Sequence, residues 1–253
     1  MLEAFTRGKA TLSEDLLTSL AFGLLAHREG ALEDFLRRCR TIHQEAPLAH
    51  PDLTIASVDL WPSAAGFGEP DVVVRGAIGS RPLTVVVEAK LGASKSQWDE
   101  EPEQASAEAG ERRDQLARYW RAWERGAFGA HRAGELCLVV YLTAHMSAPL
   151  DELRESLEAA PGASMAWLSW GDLLPVLGAS IDASPMFAAV GATLAGIIEA
   201  RGLGPFVGFA GRSEPHIDAS RWWFDEGGFA CAASPTVVAE RVWIFDPPGE
   251  ERG

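Results

Sequence analysis

The chain has 253 residues, 47% of them hydrophobic and 23% charged, which is enough for one well-cored domain with a small appendage, or two domains at most, and too apolar for extensive disorder. Its formal charge of −14 opposes a general grip on nucleic acid, which needs a basic face toward the phosphates. No apolar run reaches the roughly 18 residues that span a bilayer, and Met1 to Ala10 lacks a signal-peptide core.

Ser13 is a good helix N-cap, with Glu14 and Asp15 in the first turn, where the helix dipole favours anions. Leu16, Leu17, Leu20, Phe22, Leu24 and Leu25 then supply an apolar helical face. Ala31 to Arg40 reads as a second helix, and Thr54 to Leu60 as a strand. The clearest signal is a hairpin. The β-branched runs Asp71–Arg75 and Leu83–Glu88 are separated by Gly76, Gly79, Ser80 and Pro82. Unbroken valines predict strands buried on both faces, hence a sheet with helices packed on it. Gly92 to Gly110 is polar and acidic and reads as a loop. Glu111 to Arg125 reads as a helix with Leu116, Tyr119, Trp120 and Trp123 on one stripe.

Leu136 to Thr143 follows as a buried strand, then a helix over Asp151 to Ala160, a strand over Met165 to Ser169, a helix opening at Asp172, and an apolar helix over Met186 to Ala200. After Gly204 the texture changes to repeated glycine, Trp222, Trp223, Phe224, Phe229 and the run Val242-Trp243-Ile244-Phe245. The expected architecture is therefore α/β, a central mixed sheet flanked by helices over 1–203, with a small C-terminal β appendage over 204–253. Cys39, Cys137 and Cys231 form no CxxC pair, so neither a disulfide framework nor a cysteine zinc site is indicated, and a reducing cytoplasm is expected.

In a hairpin the start of the first strand lies beside the end of the second. Asp71, Glu88 and Lys90 are thereby expected at one edge of the sheet, with Glu88 and Lys90 on the same side and Ala89 pointing away. Two carboxylates can hold Mg²⁺ or Mn²⁺ through oxygen, with the Ala89 carbonyl as a further ligand, and Lys90 can orient a water or offset charge on a phosphate. The plain alternative is that Glu88-Ala89-Lys90 is an ion pair at a strand end. The six histidines are scattered without metal-ligand spacing, and no nucleotide-binding glycine loop or G-x-S-x-G element occurs.

Pro70-Asp71 and Glu88-Ala89-Lys90 resemble the signature of the PD-(D/E)XK nuclease superfamily, whose members share a restriction-endonuclease-like fold. Gln115-Leu116-Ala117-Arg118-Tyr119 resembles the QxxxY motif of its RecB-like branch, and Glu14 sits where many members place an acid facing the metals. The resemblance implies a hydrolase, a magnesium-dependent deoxyribonuclease. Its roles would lie in restriction, phage defence or repair, with Glu14, Gln115 and Tyr119 supporting Asp71, Glu88 and Lys90. The acidic 92–110 segment is longer than compact members carry, and the β tail is no family hallmark. Tyr119 also fits the core stripe, and Asp15 competes with Glu14. Arg112, Arg113, Arg118, Arg121, Arg125 and Arg132 offer either a basic face for DNA or a solvated helix face. The net charge keeps two rivals open: a nuclease-fold binding or regulatory module that does not cleave, and a subunit of a homo-oligomer or larger assembly in which a partner supplies the grip.

Overall fold

The computed structural model describes residues 13–64, 66–91, 114–178 and 185–204, together with the backbone of 222–225 and 228–231. Two compact units divide the chain, Met1–Phe206 and Val207–Gly253. The first is α/β. Its five-stranded mixed sheet comprises β1 (Leu53–Leu60), β2 (Val72–Ile78), β3 (Arg81–Lys90), β4 (Leu136–Thr143) and β5 (Met165–Ser169), side by side in chain order. β1, β2 and β3 form an antiparallel meander, and β4 and β5 then add in parallel through helical crossovers. In the second unit β6 (Trp222–Asp225) and β7 (Gly228–Cys231) pair as an antiparallel hairpin. The run Val242–Phe245 lies outside the described residues.

Both faces of the sheet are covered, as the valine runs require. Val72, Val74, Val85 and Val87 point into a core built with α1 (Glu14–Ala26), α2 (Ala31–Leu36), α5 (Leu173–Gly178) and α6 (Pro185–Ala200). Val73, Val86, Val139 and Tyr141 point the other way, onto α3 (Gln115–Glu124) and α4 (Leu150–Ala159). Burying one valine side chain stabilises by roughly 1.5–3 kcal/mol, so alternate residues of β2 and β3 hold opposite helix layers to one sheet. Among the described residues no helix is long and apolar enough to cross a membrane.

Local chemistry sets the helix starts. Ser13 accepts from the Leu16 backbone at 3.2 Å and caps α1. Asp114 caps α3 through the Ala117 backbone at 2.9 Å, and its other oxygen accepts from Ser156 Oγ at 2.9 Å, tying α3 to α4. The expected second helix stops at Leu36, not Arg40, because the edge of β5 takes that backbone. Arg40 and Trp167 exchange hydrogen bonds of 2.9 and 2.8 Å. The hairpin strands likewise run further than the glycines suggest. Gly76 and Pro82 lie within β2 and β3, and only Gly79-Ser80 turn, with Gly79 at φ 58°. The expected helix from Glu111 begins at Gln115 within the described residues, while the 92–110 segment and Arg112 and Arg113 fall outside them.

Gly76 is needed for space. Its β1 partner is Ile55, beside a register shift, and a Cβ built on it would stand 2.1 Å from the Thr54 carbonyl oxygen. Backbone cannot yield as a side-chain tip can. Gly76→Ala is therefore expected to lower unfolding free energy by about 2–3 kcal/mol in urea titrations, and an unchanged midpoint would show that β1 moves freely.

Candidate active site at the carboxyl edge of the sheet

Antiparallel pairing of Val72 with Val87 carries the next residues, Asp71 and Glu88, to facing positions, and the side-chain period of two sends both toward the α3 layer with Lys90. Asp71 is held by its Oδ2, which accepts from the Ala89 backbone at 2.7 Å across the strand ends. Lys90 Nζ lies 2.5 Å from Glu88 Oε1 and donates to Glu14 Oε1 at 3.1 Å. The second Glu14 oxygen accepts from the Leu91 backbone at 2.8 Å, so the first residue of α1 clasps the end of β3 from the opposite layer. The Lys90 carbonyl in turn accepts from Trp170 Nε1 at 3.2 Å.

The expected residues therefore sort as follows. Asp71, Glu88, Lys90 and Glu14 come together. Gln115 and Tyr119 share one helical turn, with Gln115 Nε2 donating to the Tyr119 hydroxyl at 3.1 Å and that hydroxyl donating to the Glu69 carbonyl at 3.0 Å. Tyr119 is fully buried in the α3 core, and its phenol pKa is pushed up by burial and then by the charge of Glu88. Ala89 is buried, and its N–H is the one committed to Asp71. The arginines of α3 and its C-cap already have partners: Arg121 donates to the Ala159 carbonyl, Arg118 lies over the Tyr119 ring, and the C-cap Arg125 lies over Phe67.

Electrostatics follow from burial. Asp71 is 9% exposed and its pKa rises to about 6, chiefly by desolvation, against the pull of the Ala89 N–H and Lys90. Glu88 is 2% exposed and rises to about 7, by desolvation and then by the charge of Asp71. Burial pulls the Lys90 pKa down, but Glu88 and then Glu14 outweigh it, and the ammonium ends above its ordinary value. The folded site thus prefers a proton on its carboxylate pair.

The donor set fits a hard divalent cation. It is all oxygen, it carries excess negative charge, and Glu88 Oε1 is buried without a hydrogen bond of acceptable geometry despite the ammonium beside it. Gln115 Oε1 is a second buried acceptor without a partner. Among the described residues no group of three or more His, Cys, Asp or Glu side chains forms a cage, so a cation here would be held by two carboxylates with backbone and water, as Mg²⁺ commonly is.

Two residues at this edge escape sequence reasoning. Tyr141 stands beside Glu88 in the β3–β4 register and donates its hydroxyl to Glu152 Oε2 at 2.9 Å. Thr143, beside Lys90, accepts from Trp167 Nε1 at 2.8 Å. The only clue in the sequence was that a buried strand following the crossover helix ends in Tyr-Leu-Thr, and its register with β3 is a property of the folded sheet. No protein-family model matches the chain, and no curated protein or solved structure matches it significantly.

Because Asp71 and Glu88 bind protons more tightly folded than unfolded, the folded state holds more protons between about pH 4 and 7, and stability falls as pH rises through that window. Glu88→Gln is expected to flatten this fall by roughly 2 kcal/mol, leaving the variant the more stable protein at pH 8 without metal. Parallel wild-type and variant profiles from pH 5 to 8 would show that Glu88 is not the titrating group.

Proposed function

We propose that this chain is a divalent-metal-dependent nuclease of the PD-(D/E)XK kind, hydrolysing phosphodiester bonds of DNA on a restriction-endonuclease-like domain. The observation that carries the reading is the pairing of two buried, proton-loving carboxylates on neighbouring strand ends with a lysine two residues further along. Asp71 and Glu88 would hold Mg²⁺ or Mn²⁺, with the Ala89 carbonyl as a further oxygen. When bound, such a cation polarises a phosphate and makes water nucleophilic near neutral pH.

The protein's own groups supply the rest. Lys90 is anchored between Glu88 and Glu14, so its ammonium is aimed at the strand end without rotamer search and can meet charge building on a phosphate oxygen. Asp71 is fixed by the Ala89 N–H. Gln115 and Tyr119 brace the wall behind Glu88 through the Glu69 carbonyl.

The second reading, a nuclease-fold module that binds or regulates without cutting, draws on the closure of the ion network. The side chains of Lys90 and Glu88 are only 12% and 2% exposed, as a structural ion pair would be. Plasmid and single-stranded DNA incubated with Mg²⁺ or Mn²⁺ separates the two. Cleavage that falls about 10²- to 10⁴-fold in Lys90→Ala supports the nuclease. A wild type that is thermally stabilised by Mn²⁺ but cuts nothing supports the module, and a wild type indifferent to Mn²⁺ removes the metal site from both.

A further inference from the structure

Two non-glycine residues of the described chain stand at positive φ, Gln44 at 63° and Trp61 at 49°. Gln44 is accounted for by a tight turn, in which the Thr41 N–H donates to the Glu45 carbonyl and the Gln44 N–H to the Thr41 carbonyl, both at 2.9 Å. Trp61 has no such local reason. A bulky side chain disfavours the left-handed region, and Pro62 behind it favours extended backbone, so the sequence argues twice against this conformation.

The surroundings impose it. The Trp61 N–H donates to the Asp71 carbonyl at 2.9 Å, one step beyond the last β1–β2 pair, Leu60 with Val72. The residues that follow are fixed on the α3 layer: Ala64 is buried, Phe67 packs in that cluster with Arg125 over its ring, and the Glu69 carbonyl accepts from Tyr119. Strain of this kind persists only where neighbours over-determine it, and it gathers at ligand-binding positions. Packing offers the ring nothing in return. Trp61 is partly exposed and belongs to neither hydrophobic cluster, and among the described residues its indole makes no hydrogen bond, ring contact or cation contact. By contrast Trp120 and Trp123 pack on each other, and Trp167 and Trp170 donate to Thr143 and to the Lys90 carbonyl.

We infer that Trp61 is a stacking platform for an unpaired nucleobase of the strand held at Asp71 and Glu88. The strand ends run Trp61, Asp71, Glu88 in one row, so the indole is carried on backbone one strand spacing, about 5 Å, from Asp71 and two from Glu88. A base lies within that reach of its own phosphate. Every base has a π-face, so an indole grips a strand without reading its sequence, but inside a duplex those faces are taken by neighbouring base pairs. The substrate class is therefore single-stranded DNA or a frayed end. That the strand is a substrate rests on the nuclease reading; that a base stacks on Trp61 requires only that the strand binds.

The test follows the full chain by anisotropy in Ca²⁺, a hard cation for oxygen ligands, with a labelled single-stranded oligodeoxynucleotide, an abasic strand of equal length and a blunt duplex. Trp61→Ala is expected to weaken the intact single strand roughly 5- to 100-fold and Trp61→Phe to keep most of the affinity, while the abasic strand binds wild type and Trp61→Ala alike. Trp61→Asn, whose residue type tolerates the left-handed backbone, is expected to bind as weakly as Trp61→Ala with a thermal midpoint no lower than wild type, and it carries the comparison if Trp61→Ala fails to fold. A lowered midpoint with unchanged DNA affinity shows a packing role and overturns the platform. So do equal losses on the intact and abasic strands, a duplex bound as tightly as the single strand, and a wild type that binds no strand. Trp61-dependent binding in a wild type that cuts nothing with Mg²⁺ or Mn²⁺ keeps the platform and removes the nuclease. Cleavage by a wild type whose affinity is indifferent to Trp61 keeps the nuclease and overturns the platform.

Discussion

A slip of one residue between β2 and β3 would turn Asp71 to the opposite face of the sheet from Glu88, so the register of that single antiparallel pair determines whether the site exists. Three features pin it. Valines on both strands are buried on both faces, the Gly79-Ser80 turn fixes the loop length, and Asp71 Oδ2 closes onto the Ala89 N–H at 2.7 Å. The last of these means that a site carboxylate is itself part of the register lock. The geometry of the candidate site and the strand pairing are the same interaction seen from two sides.

That economy has an electrostatic consequence. Three carboxylates, Asp71, Glu88 and Glu14, face one ammonium at the end of β3, and two of the three are almost wholly removed from water. The desolvation penalty exceeds what Lys90 returns, which is why the proton affinities of Asp71 and Glu88 rise and do not fall as they would in an exposed salt bridge. Such a site is under tension at neutral pH, and a positive charge entering it relieves that tension. On the same side of the sheet, Arg121 donates to the Ala159 carbonyl and Arg118 lies over the Tyr119 ring.

Much of this was legible in the residues because each signal was local or of short period. The valine runs, the strand Leu136–Thr143 and the strand Met165–Ser169 all lie where the continuous apolar runs put them, and Ser13 caps its helix through the hydrogen bond its position implies. The juxtaposition of Asp71, Glu88 and Lys90 follows from hairpin logic alone. What was not legible depends on partners distant in sequence. Helix α2 ends early because Arg40 is drawn onto β5, more than a hundred residues away, and β2 runs through Gly76 because β1 needs its missing side chain. Tyr141 and Thr143 join the edge only through parallel register with β3, which no periodicity within their own strand encodes.

Glu14 and Tyr119 reach the same strand end from helices on opposite sides of the sheet. Neither layer alone can complete the cluster, so a complete cluster requires both hydrophobic interfaces to be closed. A partly folded chain with its meander formed but one helical layer undocked would keep the strands and lack the complete charge cluster.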